Sequence, residues 1–455
     1  MSSVPPNILL ILADDMGYGD LSAVNDDRSS TPRLDALLAE SVGLTQQYSG
    51  SPVCAPARAA LLTGRYPHRT GAIDTFELLG SDRLGLSEIT LADRLNGAGY
   101  ATGLVGKWHL GAFDQAFHPN SRGFDEFVGF RGGWQDYYDW TIERNGTRST
   151  GDGRYLTDVF TDEAVSFIRR HRSEPFFLHV AYNAPHFPLQ APEEEIAPFA
   201  ATGRYTRGVS TLYGMIHRMD TGIGLILDEL KAQGLADNTI VIFASDNGPS
   251  FSGRGEESTE RFNCGLRGEK TLVFEGGIRV PAMIRWPAGL NPGRIDEPIH
   301  FIDWVPTLLS TAGQPVQGGP ALDGHDLLDV LRGNSRPSPV EYYWQWNRYD
   351  PVIGCNIAAR HGDWKLVRPP IAEAMRIRPE DGESDRDLKY HPERYDRARP
   401  ELIPHDRPVP APESPLLFDL RHDLLEENDL SGRHEEHVRA LLTAAEKWFA
   451  DVNTS

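Results

Sequence analysis

The chain of 455 residues is short of cysteine, short of basic residues and without long apolar runs. Its three cysteines, Cys54, Cys264 and Cys355, are odd in number and far apart. They make neither a disulfide framework nor a Cys-x-x-Cys metal pair. Forty-five Lys and Arg stand against 65 Asp and Glu, giving a net charge of −20. Nucleic-acid binders draw affinity from clustered Lys and Arg, and no such cluster is present, so no nucleic-acid partner is expected. A long polyanion would be repelled by the average surface. An anionic substrate therefore requires a local positive pocket. No apolar run approaches the roughly 20 residues of a membrane helix, so no membrane partner is expected. Met1 to Pro6 carry no basic stretch or apolar h-region, which together with the scarce cysteine leads us to expect a cytoplasmic, reducing location.

The remaining pattern is that of a folded α/β chain. Asn7 to Ala13 is a continuous apolar run of strand length, as a central parallel strand requires. Ala101 to Gly106, Phe176 to Tyr182 and Thr239 to Ala244 repeat the pattern. Leu34, Leu37, Leu38 and Val42 follow at helical spacing. Leu156 to Arg170 and Tyr213 to Lys231 read as amphipathic helices. Alternating strands and helices predict a large, mostly parallel sheet sandwiched by helices, over residues 1–335. After Pro337 and Pro339 the pattern changes. Val340 to Trp346, Asn356 to Ala359, Trp364 to Val367 and Leu416 to Leu420 predict a smaller antiparallel sheet. Glu435 to Val452 predicts one helix packed on it, making a C-terminal α+β subdomain over 336–455. Residues 369–415 lack periodicity and are expected to be irregular. Asn145-Gly146-Thr147 matches a glycosylation triplet, set aside for want of a secretory leader.

Sheets of this class place ligands beyond the carboxyl ends of their strands. Those ends are rich here. Asp14 and Asp15 follow the first strand, Lys107, Trp108 and His109 the second, His186 the third, and Asp246, Asn247 and Gly248 the fourth. Singly, Asp14-Asp15 reads equally well as a helix cap and Asp246-Asn247-Gly248 as a turn. Together, Asp14, Asp15, Asp246 and Asn247 offer an all-oxygen ligand set suited to Ca2+ or Mg2+. Cys54 opens the run Cys54-Ala55-Pro56-Ala57-Arg58, where Pro56 suits the first turn of a helix. A helix N-terminus favours an anion at Cys54, and Arg58 lies one turn on.

Cys54-Ala55-Pro56-Ala57-Arg58, followed by Leu61-Leu62-Thr63-Gly64-Arg65, resembles the first signature of the formylglycine-dependent sulfatases, in the alkaline-phosphatase-like superfamily. Gly99 to His109 resembles their second. Asp14-Asp15, Asp246-Asn247-Gly248, Leu266 to Lys270, Glu275-Gly276-Gly277 and Leu417 to Leu420 extend the resemblance through most of the chain. The family's usual Ser after the proline is replaced by Ala57. The resemblance implies a sulfuric ester hydrolase of the arylsulfatase or carbohydrate sulfatase branch. It implies that a formylglycine-generating enzyme converts Cys54 to formylglycine. The hydrated aldehyde would attack the sulfur of a sulfate ester, and its second hydroxyl would release the sulfate. It also implies a cation, Ca2+ with Mg2+ as the alternative, held by Asp14, Asp15, Asp246 and Asn247 together with the group made from Cys54. Arg58 would orient the nucleophile, and Lys107 and Lys270 would bind sulfate oxygens. His186 is expected to be the general acid, contacting the substrate, and His109 the base, an assignment that can be exchanged.

The substrate is expected to be small: a sulfated saccharide or an aryl sulfate. Gly123 to Phe127 and Asp136 to Tyr138 are similar to stretches of N-acetylgalactosamine-4-sulfatase-type enzymes. Trp134, Tyr137, Tyr138 and Trp140 offer either stacking faces for a sugar or core packing, and Trp344 and Trp346 raise the same choice. His118 and Asp136 are candidates for hydroxyl contacts. Two other readings compete: a phosphodiester or phosphonate monoester hydrolase on the same scaffold, and a silent sulfated-sugar binding protein.

Overall fold

A computed structural model describes residues 5–314, 318–334, 336, 339–395, 398, 400 and 407–454. Its main sheet has ten strands: β1 (Asn7–Ala13), β2 (Val42–Leu44), β4 (Ala101–Lys107), β5 (Glu126–Phe130), β6 (Thr141–Arg144), β7 (Thr147–Thr150), β8 (Phe176–Ala181), β9 (Thr239–Ser245), β10 (Ala282–Arg285) and β11 (Gly293–Ile295). Their order is β11-β2-β10-β9-β1-β8-β4-β5-β6-β7. The strands from β9 to β5 run parallel. Antiparallel pairs, β10 on β9 and the β6–β7 hairpin beyond β5, extend the sheet on either side, so it is mixed. Short β3 (Gln47–Tyr48) and β12 (Ile299–His300) pair separately.

All seven residues of β1 are buried, because helices cover both faces. Ile8, Leu10 and Leu12 join a core with the Cys54–Thr63, Leu91–Gly97 and Trp304–Thr311 helices. Leu9, Ile11 and Ala13 join a second core with the Pro32–Ala39, Leu156–Arg170 and Arg207–Ala232 helices. This is the period-two alternation of a strand between two layers. The Arg207–Ala232 helix starts six residues before the predicted Tyr213 because the Thr206 hydroxyl caps it, accepting from the Val209 amide at 3.1 Å.

The second sheet is antiparallel, in the order β13 (Glu341–Gln345), β14 (Ile357–His361), β15 (Trp364–Arg368) and β16 (Leu416–Asp419). The Glu435–Val452 helix packs on it, with Trp448 stacked on Tyr343 at 5.2 Å. The expected change at residue 335 and Pro337 falls outside the described residues. The two sheets share a core, and Trp344 Nε1 donates across to the Ser49 carbonyl at 2.8 Å. Trp344 and Trp346 are buried and offer no stacking face. Residues 369–415 are not wholly irregular, since a twelve-residue helix spans Pro379–Tyr390. It buries no residue, so it has no apolar stripe to read. Asn145 and Gly146 have φ of 50° and 84° and turn the β6–β7 hairpin, as an Asn-Gly pair does. Among the described residues no helix is long and apolar enough to cross a membrane.

Candidate active site

Four neighbouring strands, β9, β1, β8 and β4, deliver their following residues to one edge of the sheet. Asp14 N donates to the Ala184 carbonyl and Asp246 N to the Ala13 carbonyl, each at 3.0 Å. These bonds carry the parallel pairing one step beyond the strands. Asp15 then takes a left-handed φ of 66°, a strained setting for a side-chain-bearing residue. Its amide donates to Asp246 Oδ1 at 3.1 Å, and its carbonyl accepts from Arg261 Nη2 at 3.3 Å. Two glycines permit the close approach. A Cβ on Gly106 would lie 1.9 Å from the Ala181 carbonyl oxygen, and one on Gly248 would lie 2.0 Å from that of Gly276. Gly106 thereby lets β4 present Lys107 beside β8.

Cys54 is the first residue of a ten-residue helix whose every residue is buried, and Gly64 ends it at φ 71°. Small alanines allow this depth: a Cβ on Gly50 would meet Ala60 Cβ at 2.3 Å. The thiol sits at the positive end of the helix. Burial alone would raise its pKa. Lys107 and Lys270, with a hydrogen bond to His186, outweigh that and bring it down to about 6.

Asp14, Asp15, Cys54 and His186 each place one donor atom within 4.8 Å of the others. Asp246 and Asn247 close the group, with Asn247 Nδ2 2.7 Å from Asp15 Oδ1. Lys107 Nζ lies 2.6 Å from Asp14 Oδ2, and Lys270 Nζ 2.8 Å from Asp15 Oδ2. Arg58 grips Asp246 Oδ2 through Nε and Nη2 at 3.1 and 2.7 Å. Burial would raise the Asp15 carboxyl, but Lys270 and His186 hold it well below the usual carboxylate range. Burial and the nearby Asp14 instead raise Asp246. Asp14 Oδ1 and Asn247 Oδ1 are buried without a hydrogen-bond partner. Two idle oxygens in an oxygen-rich set fit a hard divalent cation.

The two histidines have distinct settings. His186 Nδ1 lies 2.9 Å from its neighbour's carbonyl oxygen, on Phe187. A carbonyl only accepts, so Nδ1 carries the proton and Nε2 faces Asp15 Oδ2 at 3.7 Å. His109 is buried with Nε2 3.2 Å from the Thr75 carbonyl. Nε2 therefore donates and Nδ1 keeps a lone pair, with no partner. Burial, then Lys107, holds its pKa well below the ordinary value, so the ring is neutral. The Glu77 carboxylate lies 4.0 Å from Nε2. Arg348, just beyond β13, binds Asp74 Oδ1 at 2.9 Å and Thr75 Oγ1 at 3.0 Å, steadying the segment that holds His109. Nothing in the sequence singles out Thr75, Glu77, Arg261 and Arg348. They are polar residues in loops, with no motif around them.

The proposed substrate contacts divide. Lys107, Lys270 and His186 belong to the cluster. His118 does not join it: Nδ1 accepts from the Asn120 amide at 3.1 Å and Nε2 meets Glu143 at 3.2 Å. Tyr137 is buried and donates to the carbonyls of Asn183 and His186 at 2.7 and 2.9 Å, so it shapes the His186 loop and offers no ring face. Trp140 is likewise core. Asp136 accepts from the Tyr138 and Asp139 amides and from Gln190 Nε2 at 2.7–2.8 Å, which commits both its oxygens to a loop. Of the four aromatic candidates in this stretch, Trp134 stays half-buried beside one cleft and Tyr138 is exposed beside another.

Comparison with known proteins points one way. The family model described as Sulfatase matches residues 6–314. Steryl-sulfatase of Mus musculus is 32% identical over 97% of this chain and 81% of that protein. N-acetylgalactosamine-6-sulfatase of Homo sapiens is 38% identical over 74% of this chain and 68% of that protein. Among solved structures, Ps i-CgsB in complex with k-i-k-neocarrahexaose superposes with a TM-score of 0.82 and 29% identity, covering 98% of this chain and 92% of that one.

Proposed function

Since the chain belongs to the sulfatase family, we propose that it cleaves the sulfate ester of a sulfated carbohydrate or an aryl sulfate, with Cys54 as the nucleophile position. The observation that carries this reading is the joining of Cys54, two lysines, an arginine and an oxygen-rich ligand set at one strand edge. A carbohydrate is favoured because a relative is named for N-acetylgalactosamine and a close structure holds an oligosaccharide.

Conversion of Cys54 to formylglycine by a formylglycine-generating enzyme would supply a geminal diol, with one hydroxyl to attack sulfur and a second to release sulfate. Asp14, Asp15, Asp246 and Asn247 would hold Ca2+, or Mg2+, which supplies Lewis acidity toward the sulfate oxygens. The chain's own groups do the rest. Three carboxylates, Asp14, Asp15 and Asp246, are balanced by Lys107, Lys270 and Arg58, so a divalent ion leaves positive charge in excess. That excess answers the need for a local positive pocket in an acidic chain. Lys107 and Lys270 bind sulfate oxygens and stabilise charge in the transition state. Arg58 fixes Asp246 and the helix bearing residue 54. His186, whose Nδ1 proton stays bonded to the Phe187 carbonyl, would serve as the acid when a second proton is carried on Nε2, which it passes to the departing alkoxide. His109 would take at Nδ1, the lone pair that its Thr75 bond leaves idle, the proton that the second hydroxyl gives up as the sulfate is released and the aldehyde returns.

The test compares kcat/KM on 4-nitrophenyl sulfate and bis(4-nitrophenyl) phosphate, using protein co-produced with a formylglycine-generating enzyme. The sulfate should be preferred. A preference for the phosphate diester would overturn the assignment.

A further inference from the structure

We propose that the cleft between the β5–β6 loop and the Pro379–Tyr390 helix binds a neutral, hydroxyl-rich sugar ring of the substrate; this rests on the sulfatase reading above. The cleft has a volume of about 360 Å3, within the range of small-molecule pockets. One of its walls adjoins His109. Glu77 lines it, and the same carboxylate lies 4.0 Å from His109 Nε2 and accepts from the Gly133 amide at 2.6 Å.

The helix that forms its far wall is unusual. None of its residues is buried, so it adds nothing to either core. Near its start, Tyr349 Oη and Arg378 Nε both bind Asp381 Oδ2 at 2.7 Å. At its end Tyr390 sets its edge against the Trp134 ring at 5.2 Å. A helix held at both ends and absent from the core acts as a wall. Leu388 and Lys389 face the cleft from it.

The lining selects the ligand. Trp134 offers a half-buried indole of the kind that stacks on a sugar ring. Four carboxylates, of Glu77, Asp114, Glu143 and Glu393, line the cleft against three cations. Of those cations, Arg131 is paired with Glu143 at 3.0 Å and Lys389 with Asp385 at 2.6 Å. That balance does not favour a second sulfate. A flat apolar ligand such as a steroid would strip water from these polar groups and return no hydrogen bonds. Hydroxyls can donate to the carboxylates and accept from the cations, so a neutral sugar satisfies both.

The experiment measures kcat/KM for the converted enzyme on monosulfated galactose and N-acetylgalactosamine, on estrone sulfate and on 4-nitrophenyl sulfate. The same panel is run on Trp134→Ala and Tyr390→Ala; Tyr390 is 64% exposed, so its loss does not threaten folding. The sugar-to-aryl ratio should fall about tenfold in Trp134→Ala and about threefold in Tyr390→Ala, the scale of an aromatic contact. A ratio unchanged in both variants overturns the proposal. So does a wild-type enzyme that cleaves estrone or 4-nitrophenyl sulfate and none of the sugar sulfates. Failure on every ester by fully converted protein would instead overturn the sulfatase reading itself.

Discussion

Beside the charge cluster at the strand ends lies a second one, buried where the second sheet meets the first. There Lys365 Nζ sits 2.8 Å from Glu275 Oε1 and 2.9 Å from Glu426 Oε1. Tyr48 Oη donates to Glu275 Oε2, and the Glu275 amide donates to Glu426 Oε2, both at 2.7 Å. Every oxygen of these two carboxylates has a cation or donor against it. At the strand ends the cation nearest Asp14 Oδ1 is Arg58 Nη2, 3.7 Å away and beyond hydrogen-bond reach, and Asn247 Oδ1 has no partner. Both clusters are buried and both mix lysine, arginine and carboxylate. The difference is that one is complete within the chain and the other is not. Buried polar atoms are costly when idle, so the incomplete cluster is the one built for something the chain does not itself supply.

Substitutions at the two clusters should therefore separate activity from stability. Cys54→Ala should lower kcat/KM on an aryl sulfate by at least about 10^4-fold, as losses of a nucleophile do, with a melting temperature close to that of the parent. Asp14→Asn should lower activity by about 10^2–10^3-fold and shift the calcium concentration for half-maximal activity at least tenfold upward. Chelation of the parent should mimic that loss, and calcium should reverse it and raise the melting temperature. Lys365→Met should do the opposite. It strands two buried carboxylates and should cost about 3–5 kcal/mol in denaturant melts, while turnover per folded molecule stays within about threefold. A Lys365 variant that keeps its stability but loses turnover would break the comparison.

Asp82 sharpens it. This carboxyl is buried with Oδ1 unpartnered, its Oδ2 accepts from the Gly111 amide at 3.1 Å, and Arg83 only partly offsets its burial. Burial and the neighbouring Glu77 push its pKa up to about 7. Between roughly pH 4 and 7 the folded protein keeps a proton that the unfolded chain releases, so this contribution to stability falls as pH rises through 7. Asp82→Asn should flatten that slope and be more stable by about 2–4 kcal/mol at pH 8, read from urea melts across pH. The smallest effect is expected at Arg348. Its loss to Ala should loosen Thr75 and lower kcat about fivefold with little change in KM, since it acts through the placement of His109 and not on binding.

What could be read in the sequence follows from where the information lies. The strands β1 and β9 are long apolar runs, β4 and β8 are largely apolar but carry Thr102 and His179, and polar residues gather at the end of each. Their class of sheet, and the place of Asp14, Lys107, His186 and Asp246, could be inferred from that alone. The second sheet was legible for the same reason. The Pro379–Tyr390 helix was not, because it packs no apolar face. His118, Asp136 and Tyr137 are the residue types that contact sugars, but residue type does not reveal that Glu143, Gln190 and two carbonyls already claim them. Arg348 and Asp74 meet across 274 residues of chain, and nothing local to either signals the other.

The central claim is that turnover arises at position 54 once it has been converted. The most direct test sets the converted fraction of the tryptic peptide Leu34 to Arg58, measured by mass spectrometry, against the rate of sulfate release in the same preparations. Samples spanning low to full conversion should give a rate proportional to the aldehyde fraction and passing through zero. Turnover that persists in all-thiol protein, or none in fully converted protein supplied with calcium, would contradict the account.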